Sequence, residues 1–285
     1  MDVLEKYRVL LERLLPGDRP DEWVVHQGQF HHVVIGAERV VCFARTEAAA
    51  ARLPERAAVL RALAGIDLGF RTPEPLDEGA ASAGVPAYLV LSRIPGAPLE
   101  EDALAAPGVA VAVARQYATL LAGLAAAGAD DKVRAALPEA PEGEWREFAD
   151  GVRAELFPLM SPAGRERAER ELAALGDLPH LTAAVVHGDL GGENVLWETA
   201  DGLPRLSGVV DWDGISLGDP AEDLAAIGAG YGEELLRQVL ALRGADEGVS
   251  GRIAAIRGTF ALQQALYARR DGDEEELADG LTGYR

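Results

Sequence analysis

The sequence predicts an α+β protein of two lobes, a small β-rich N-terminal lobe and a larger, mainly helical C-terminal lobe. Short runs of β-branched residues separated by tight turns occupy much of the N-terminal third. A segment rich in proline and glycine, residues 93–98, then interrupts the chain, and long helical patterns follow it. We therefore expect an N-terminal lobe of residues 1–92, a hinge at 93–98 and a C-terminal lobe of residues 99–285.

The N-terminal lobe is predicted to open with a helix over residues 3–15, where apolar residues recur at helical spacing. Three short strands then form a meander: residues 23–27, 30–35 and 39–43. Alanine, leucine and arginine predict a helix over Glu47–Ala64, which Gly65 is suited to end. A compact apolar strand over residues 87–92 leads into the hinge.

The C-terminal lobe is predicted to be helical with three embedded strands. The helical patterns cover residues 108–127, 144–160, 164–175, 221–229, 233–242, 252–268 and 274–278. The strands cover residues 184–186, 195–197 and 205–210. Two lobes joined by a short hinge imply a cleft between them, which is a common place for a ligand site.

Charge and composition exclude some classes of function. The formal net charge is −20, so no basic surface is available to displace counterions from a nucleic acid, and a cationic small molecule is a better ligand. Residues 1–15 mix charges into the apolar pattern, unlike a signal peptide. The single cysteine, Cys42, has no partner for a disulfide and is interpreted as a core residue. We expect a cytoplasmic protein that is a monomer and does not bind a membrane.

One group of residues carries recognisable chemistry. An apolar strand leads into His187-Gly188-Asp189, and Asn194 opens the next strand five residues later. A further apolar strand ends at Asp211. Phosphoryl transfer needs a carboxylate that orients and deprotonates the attacking hydroxyl, and oxygen ligands that hold Mg²⁺ on the phosphates. Asp189 fits the catalytic role, and Asn194 and Asp211 fit the metal-binding role.

The same residues resemble a known family. His187-Gly-Asp189-Leu-x-x-x-Asn194, then Asp211-Trp, then Gly218-Asp219-Pro220-x-x-Asp223-Leu are similar to the signature of the aminoglycoside and macrolide phosphotransferases. The resemblance implies the bilobal protein-kinase-like fold, a phosphate donor that is ATP or GTP, and Mg²⁺ as cofactor. It also makes residues 1–92 the nucleotide-binding lobe and residues 99–285 the lobe for catalysis and substrate binding.

Further site residues follow from the resemblance. The nucleotide is expected to contact Gly28, Gln29, Arg45, Ser92 and Ile94, the last two on the linker that receives the purine base. Supporting roles are expected for His187, Asp213 and Asp223. His187 is interpreted as a packing and hydrogen-bonding residue of the loop, and Asp223 as a possible anchor of that loop. Asp213 is interpreted as a neighbour of the metal ligands, with a contact to solvent or substrate as the alternative.

The chain departs from the family pattern at the phosphate-binding cation. Relatives place a lysine or arginine on the third strand and pair it with a glutamate on the next helix, but here the strand position carries Cys42. The helix position carries Arg56, or Glu55 if the alignment is shifted by one residue. Both lysines of the chain, Lys6 and Lys132, lie far from this strand in the sequence. Our hypothesis is that Arg45 or Arg56 enters the cleft and replaces the usual lysine.

The sequence constrains the identity of the substrate less than it constrains the type of reaction. The motifs resemble those of macrolide 2′-phosphotransferases more than those of the aminoglycoside enzymes, so the sequence predicts phosphorylation of the 2′-hydroxyl of a macrolide amino sugar, conferring resistance. The alternatives are an aminoglycoside kinase, a metabolic small-molecule kinase and a catalytically weak ligand-binding relative. An acidic stretch at 271–276 would suit a polycationic aminoglycoside, and it is also typical of a solvated helix start.

Overall fold

The N-terminal part of the fold is an antiparallel sheet covered by helices. The structure is a computed structural model that describes residues 3–28, 31–82, 84–244 and 248–285. In chain order its N-terminal elements are helices α1 (Val3–Lys6) and α2 (Arg8–Leu14), strands β1 (Val24–Gln27), β2 (His31–Ile35) and β3 (Arg39–Ala44), helix α3 (Glu47–Ala64), and strands β4 (Pro75–Gly79) and β5 (Tyr88–Ser92). The five strands are ordered β1-β2-β3-β5-β4.

The two faces of this sheet pack against different helices, because side chains alternate along a strand. Val41 and Phe43 of β3 lie in a core with α2. Cys42 and Ala44 point to the other face and pack in the core that includes α3. Helix α3 begins after Thr46, whose side chain accepts a hydrogen bond from the backbone N–H of Ala49. Its position on the Cys42 face of the sheet places it beside the cleft.

The C-terminal part is mainly helical. Its elements are helices α4 (Val109–Gly128), α5 (Asp131–Ala136), α6 (Glu144–Gly151) and α7 (Pro162–Gly176), strands β6 (Ala184–Val186), β7 (Val195–Ala200), β8 (Leu203–Val209) and β9 (Ser216–Gly218), and helices α8 (Ala221–Arg243), α9 (Val249–Gly258), α10 (Phe260–Asp271) and α11 (Glu274–Gly280). Strand β6 pairs with β9, and β7 pairs with β8. The predicted α+β architecture, with a β-sheet N-terminal region and a helical C-terminal region, is confirmed.

Helix α4 is the central helix of this region. By length and composition alone it is apolar enough to cross a membrane. In this fold it packs against α8, β6 and β8. Tyr117, Leu120 and Leu124 on its inner face are at most 1% exposed. The packing of α4 within the core therefore explains its apolar character.

Several predicted helices are divided differently in the structure. Residues 144–160 do not form one helix: α6 ends at Gly151 and continues as a π-helical turn, Val152–Leu156. The predicted helix over 252–268 is interrupted at Thr259, between α9 and α10. Helix α8 joins two predicted helices and kinks between them at Gly232, which has φ of 79°. A single sequence shows apolar periodicity, but it does not show where a tertiary contact interrupts a helix.

The two parts of the chain meet at the predicted hinge. Ala97 pairs with Trp197 of β7, and Arg71 pairs with Gly208 of β8. Gly96 has φ of 106°, and a Cβ atom there would lie 2.6 Å from the Trp197 carbonyl oxygen, so this close approach requires glycine. The β7-β8 hairpin is thereby fixed against the N-terminal part, and the loops at its base face the cleft.

Candidate active site

His187 is a fully buried residue at the start of the 187–194 loop, with no exposed surface. Its Nε2 lies 2.9 Å from the Val210 carbonyl oxygen, and its Nδ1 accepts a hydrogen bond from the Asp189 N–H at 3.2 Å. Because a carbonyl oxygen only accepts, this arrangement requires the proton on Nε2. The ring also packs edge-on against Trp212. His187 thus ties the 187–194 loop to the end of β8, which agrees with a supporting position.

Asp189 and Asn194 converge within the same loop. The Asn194 amide nitrogen donates to the Asp189 backbone oxygen at 2.9 Å and to its Oδ2 at 3.0 Å. These bonds fix the Asp189 carboxylate and leave the amide oxygen of Asn194 for another partner. Burial in the cleft, followed by the Glu193 carboxylate, raises the pKa of Asp189. A carboxylate with a raised pKa is a better proton acceptor for a hydroxyl group.

Asp211 follows β8, with Val210 between them, and reaches the same region. It has φ of 59°, a left-handed conformation that few residues other than glycine adopt, and its side chain is 56% exposed. The neighbouring loops touch at Gly188, which has φ of +86°, and a Cβ atom there would lie 2.6 Å from the Gly214 carbonyl oxygen. Glycine at this position therefore lets the 187–194 loop pack against the segment that carries Asp211.

Asp223 lies beneath the 187–194 loop. It is fully buried in the first turn of α8. Its carboxylate accepts hydrogen bonds from the backbone N–H groups of His187 at 3.0 Å and Gly188 at 3.1 Å. Asp219, four residues earlier, accepts from the Ala221 N–H at the start of α8 and pairs with Arg252. The start of α8 therefore holds the loop in place by defined bonds.

Arg56 crosses the cleft from α3. Its Nε lies 2.7 Å from an Asp213 oxygen and its Nη2 lies 3.7 Å from an Asp211 oxygen. Its Nη1 is 3.5 Å from Nδ1 of His31, and burial together with the Arg56 charge lowers the pKa of that histidine to about 4. Burial raises the pKa of Asp213, while Arg56 opposes the shift. The sequence had linked neither His31 nor the Arg56–Asp213 pair to the cleft, because β2 and the loop after β8 are distant in the chain.

The predicted nucleotide-binding residues have different surroundings. Gly28 and Arg45 line the cleft, and Arg45 Nη1 donates to the Gly28 carbonyl oxygen at 2.6 Å. Gln29 lies outside the described residues. Ser92 is engaged at the end of β5, where its N–H donates to the Glu74 carbonyl and its hydroxyl accepts from the Glu74 N–H. Ile94 is 6% exposed and packs near Gly208. Neither Ser92 nor Ile94 is among the described residues that line the main cleft, so the base pocket stays a prediction.

The cleft is large, and its two sides differ in their balance of charge. It encloses about 2130 Å³, whereas a pocket for one drug-sized ligand has about 300–1,000 Å³. Three arginines, Arg45, Arg52 and Arg56, line its N-terminal side. The opposite side is mainly acidic, with Arg270 as a cation that pairs with Glu155; its acidic residues are Glu193, Glu222, Asp271, Asp273, Glu274 and Glu276. The acidic stretch that the sequence suggested to be a solvated helix start thus faces the cleft, because α10 and α11 fold back against each other.

Glu222 is the most perturbed carboxyl group of this acidic side. Burial, and then the nearby Glu144 carboxylate, raises the pKa of Glu222 to about 8. Burial also raises the pKa of Glu144, with Glu147 adding to the effect. A carboxyl group whose pKa is raised in this way keeps its proton more readily, so Glu222 is a candidate hydrogen-bonding contact for a ligand in the cleft. Sequence reasoning missed it because Glu222 resembles an ordinary first-turn residue of a helix.

The donor set fits Mg²⁺ bound together with phosphates. Among the described residues no three His, Cys, Asp or Glu side chains gather as a metal site. Mg²⁺ is usually held by one or two carboxylates, with phosphate oxygens and water completing its octahedron. The accessible Asp211 carboxylate and the Asn194 amide oxygen, oriented by the bonds of its Nδ2, provide such a partial set.

A carboxylate, an amide and a second carboxylate at the base of a two-lobed cleft define a phosphotransferase with a kinase-like fold. The model of the phosphotransferase enzyme family (APH) matches residues 23–258, so the chain belongs to this family. The chain is also 76% identical over 287 residues to the viomycin phosphotransferase of Streptomyces vinaceus, and the match covers 100% of both chains. The family predicted from the motifs is thereby confirmed.

Solved structures show the same fold. The GDP and kanamycin complex of an APH(2″) enzyme has a TM-score of 0.81 at 20% identity, covering 98% of this chain and 96% of that chain. A macrolide 2′-phosphotransferase type I has a TM-score of 0.74 at 22% identity, covering 100% of this chain and 98% of that chain. The predicted kinase-like fold is confirmed.

Proposed function

We propose that this enzyme transfers the γ-phosphoryl group of a nucleoside triphosphate to a hydroxyl group of a cationic peptide antibiotic of the viomycin type. The observation that carries the proposal is the acidic side of the cleft, formed by α10, α11 and the start of α8. The 76% identity to a viomycin phosphotransferase over the whole chain supports it. An acceptor with several positive charges suits this side better than a largely apolar macrolide with one amino group, and we therefore replace the macrolide expectation.

The nucleotide is proposed to lie on the opposite side of the cleft, within the lobe of residues 1–92. Arg45, Arg52 and Arg56 line that side and suit a polyphosphate. Complexes of solved relatives with GDP and kanamycin support a nucleotide donor next to a cationic acceptor. The cleft volume of about 2130 Å³ has room for both ligands at once. Since nucleoside triphosphates are cytoplasmic metabolites, we propose that the enzyme acts in the cytoplasm.

Each site residue then has a defined task. Asp189 orients the acceptor hydroxyl toward the γ-phosphorus, and the Asn194 amide fixes that carboxylate. The new O–P bond forms as the bond from the γ-phosphorus to the bridging oxygen of the β-phosphate breaks, and the hydroxyl proton passes late to Asp189. Asn194 and Asp211 are proposed to hold Mg²⁺, which when bound neutralises charge on the phosphates. The nucleoside diphosphate is the leaving group.

The test is a phosphorylation assay with purified protein, ATP or GTP, and a panel of viomycin, kanamycin and a macrolide, with products identified by mass. We expect viomycin to gain one phosphoryl group, and Asp189→Asn to lower the rate about 10²- to 10⁴-fold. Preferential phosphorylation of kanamycin would show that the acidic side of the cleft binds aminoglycosides. Preferential phosphorylation of the macrolide would overturn the charge argument, and no product with any antibiotic would favour a metabolic acceptor.

A further inference from the structure

The strand position that carries a phosphate-binding lysine in kinase-like enzymes is uncharged here. That position is Cys42 on β3, which is 3% exposed and faces α3. In protein kinases the strand lysine pairs with a glutamate on the following helix. Here the helix contributes Arg56, which lies against Cys42. Burial raises the pKa of the Cys42 thiol, and the Arg56 charge opposes that shift. The cation near this position therefore comes from the helix, while the strand position is neutral.

Arg56 has the geometry of a cation held inside the cleft. Its side chain is 15% exposed, although arginine is normally a surface residue. Its guanidinium group spans from α3 to the loop after β8, with Nε 2.7 Å from Asp213 and Nη2 3.7 Å from Asp211. The proposed metal ligand Asp211 therefore lies within reach of Arg56, and the phosphates that would share a metal with Asp211 must lie there too. A planar guanidinium group donates two parallel hydrogen bonds to a phosphate, which an ammonium group does not.

The other cations of the cleft are placed differently, and Arg270 of α10 pairs with Glu155. Arg45 Nη1 donates to the Gly28 carbonyl oxygen at 2.6 Å, so this side chain braces the turn between β1 and β2. Arg52 lies one helical turn before Arg56 and is exposed. Lys6 and Lys132 belong to α1 and α5 and are not among the described residues that line the cleft.

We propose that Arg56 is the phosphate-anchoring residue of this enzyme, supplied by helix α3 in place of the usual strand lysine. Asp213 and Asp211 hold the guanidinium group across the cleft. When the donor binds, the Nη atoms of Arg56 contact its phosphates while Nε keeps the Asp213 contact. Asp213 thus takes the positioning task that a helix glutamate has in protein kinases.

The inference rests on the proposed nucleotide donor but not on the identity of the acceptor, so the test measures nucleotide binding alone. Mg·ATP and Mg·GTP are titrated into the full chain and into Arg56→Ala and Arg56→Lys. We expect Arg56→Ala to weaken binding by about tenfold or more, and Arg56→Lys to recover part of the loss. The control is Arg61→Ala on the same helix, where the arginine pairs with Glu78 at the surface, and we expect it to bind like the wild type.

A charge relocation makes the test sharper. Arg56→Glu should abolish measurable binding, and the double variant Cys42→Lys with Arg56→Glu should restore it by returning the pair to the kinase arrangement. Thermal unfolding shows whether each variant is folded. If Arg56→Ala does not fold, Arg56→Lys replaces it in the test. Wild-type binding by folded Arg56→Ala, or no recovery in the folded double variant, would overturn the assignment of Arg56. If the wild type binds neither nucleotide, the proposed function itself is wrong.

Discussion

The Asp223 carboxylate accepts a hydrogen bond from the backbone N–H of His187 at 3.0 Å, and this contact fixes α8 to the loop that carries Asp189. A second bond, from the Gly188 N–H, engages the other carboxylate oxygen. The two residues are 36 positions apart in the chain, so the loop depends on a helix that follows it. The conformation of the site is thus tied to the folding of the whole C-terminal region.

Asp223→Ala is therefore expected to reduce both stability and turnover. It leaves two N–H groups next to a fully buried position without an acceptor, at a cost of about 1–3 kcal/mol each. Thermal unfolding and steady-state turnover measure the two effects. Asp150→Ala on α6 removes an exposed carboxylate and serves as the control. If Asp223→Ala unfolds at the wild-type temperature, the loop is held by other contacts.

Gly188→Ala is expected to impair the enzyme for a steric reason. The added Cβ would lie 2.6 Å from the Gly214 carbonyl oxygen, and the residue has φ of +86°. Separation of the two loops should displace Asp189 from Asp211 and lower kcat by at least about tenfold. Gly251→Ala in α9 is the control, since a Cβ there meets nothing within 4 Å. Full activity of Gly188→Ala would show that the loops do not need this contact.

Asp211→Asn tests the proposed metal ligand. Loss of the negative charge should raise the Mg²⁺ concentration for half-maximal rate by more than about tenfold, since even the partners of metal ligands contribute about 10–100-fold to affinity. Asp213→Asn, two residues further on, should change the nucleotide KM more than the Mg²⁺ requirement. The reason is that Asp213 contacts Arg56 at 2.7 Å, closer than Asp211 does at 3.7 Å. Equal Mg²⁺ requirements in Asp211→Asn and the wild type would remove Asp211 from the metal site.

Glu222 predicts a pH dependence of stability. Its pKa in the folded protein is about 8, above the ordinary value of 4.5, so the folded state binds the extra proton between these values. The free energy of unfolding therefore falls as the pH rises through this window, by at most about 1.4 kcal/mol per pH unit. Glu222→Gln has no carboxyl group at this position, so it lacks this loss of stability with rising pH. We expect its melting temperature to rise relative to the wild type between pH 5 and about 8, and a difference independent of pH would contradict the prediction.

The acidic side of the cleft predicts a selective loss of acceptor binding. The double variant Glu274→Gln, Glu276→Gln keeps the shape of both side chains but removes two charges. We expect the KM for viomycin to rise by about tenfold, with a smaller effect at high salt, and the nucleotide KM to stay unchanged. The control is Glu12→Gln with Glu166→Gln, at exposed positions outside the described cleft lining. If the KM for viomycin rises equally in the control variant, the effect comes from the net charge of the protein and not from the acidic side of the cleft.

The local patterns of the sequence predicted much of the fold and the class of reaction, phosphoryl transfer. Helix Glu47–Ala64 and strand Ala184–Val186 have the predicted bounds, because alanine-rich periodicity and short β-branched runs are local signals. Asp189 and Asn194 meet as expected, because they belong to one short loop. The π-helical turn that follows α6 within residues 144–160 packs against α10, a contact that no local pattern records.

The sequence by itself determined the order of the elements, the phosphotransferase motifs and the absence of the strand lysine, since each of these is a matter of residue type and spacing. Only the tertiary structure distinguishes the surroundings of Arg45 from those of Arg56. Arg45 turns to the Gly28 carbonyl, while the packing of α3 on β3 directs Arg56 toward Asp213. The tertiary structure also decided that Glu274 and Glu276 face the cleft. The direction of a side chain depends on which surface its helix buries, and that surface belongs to residues far away in the chain.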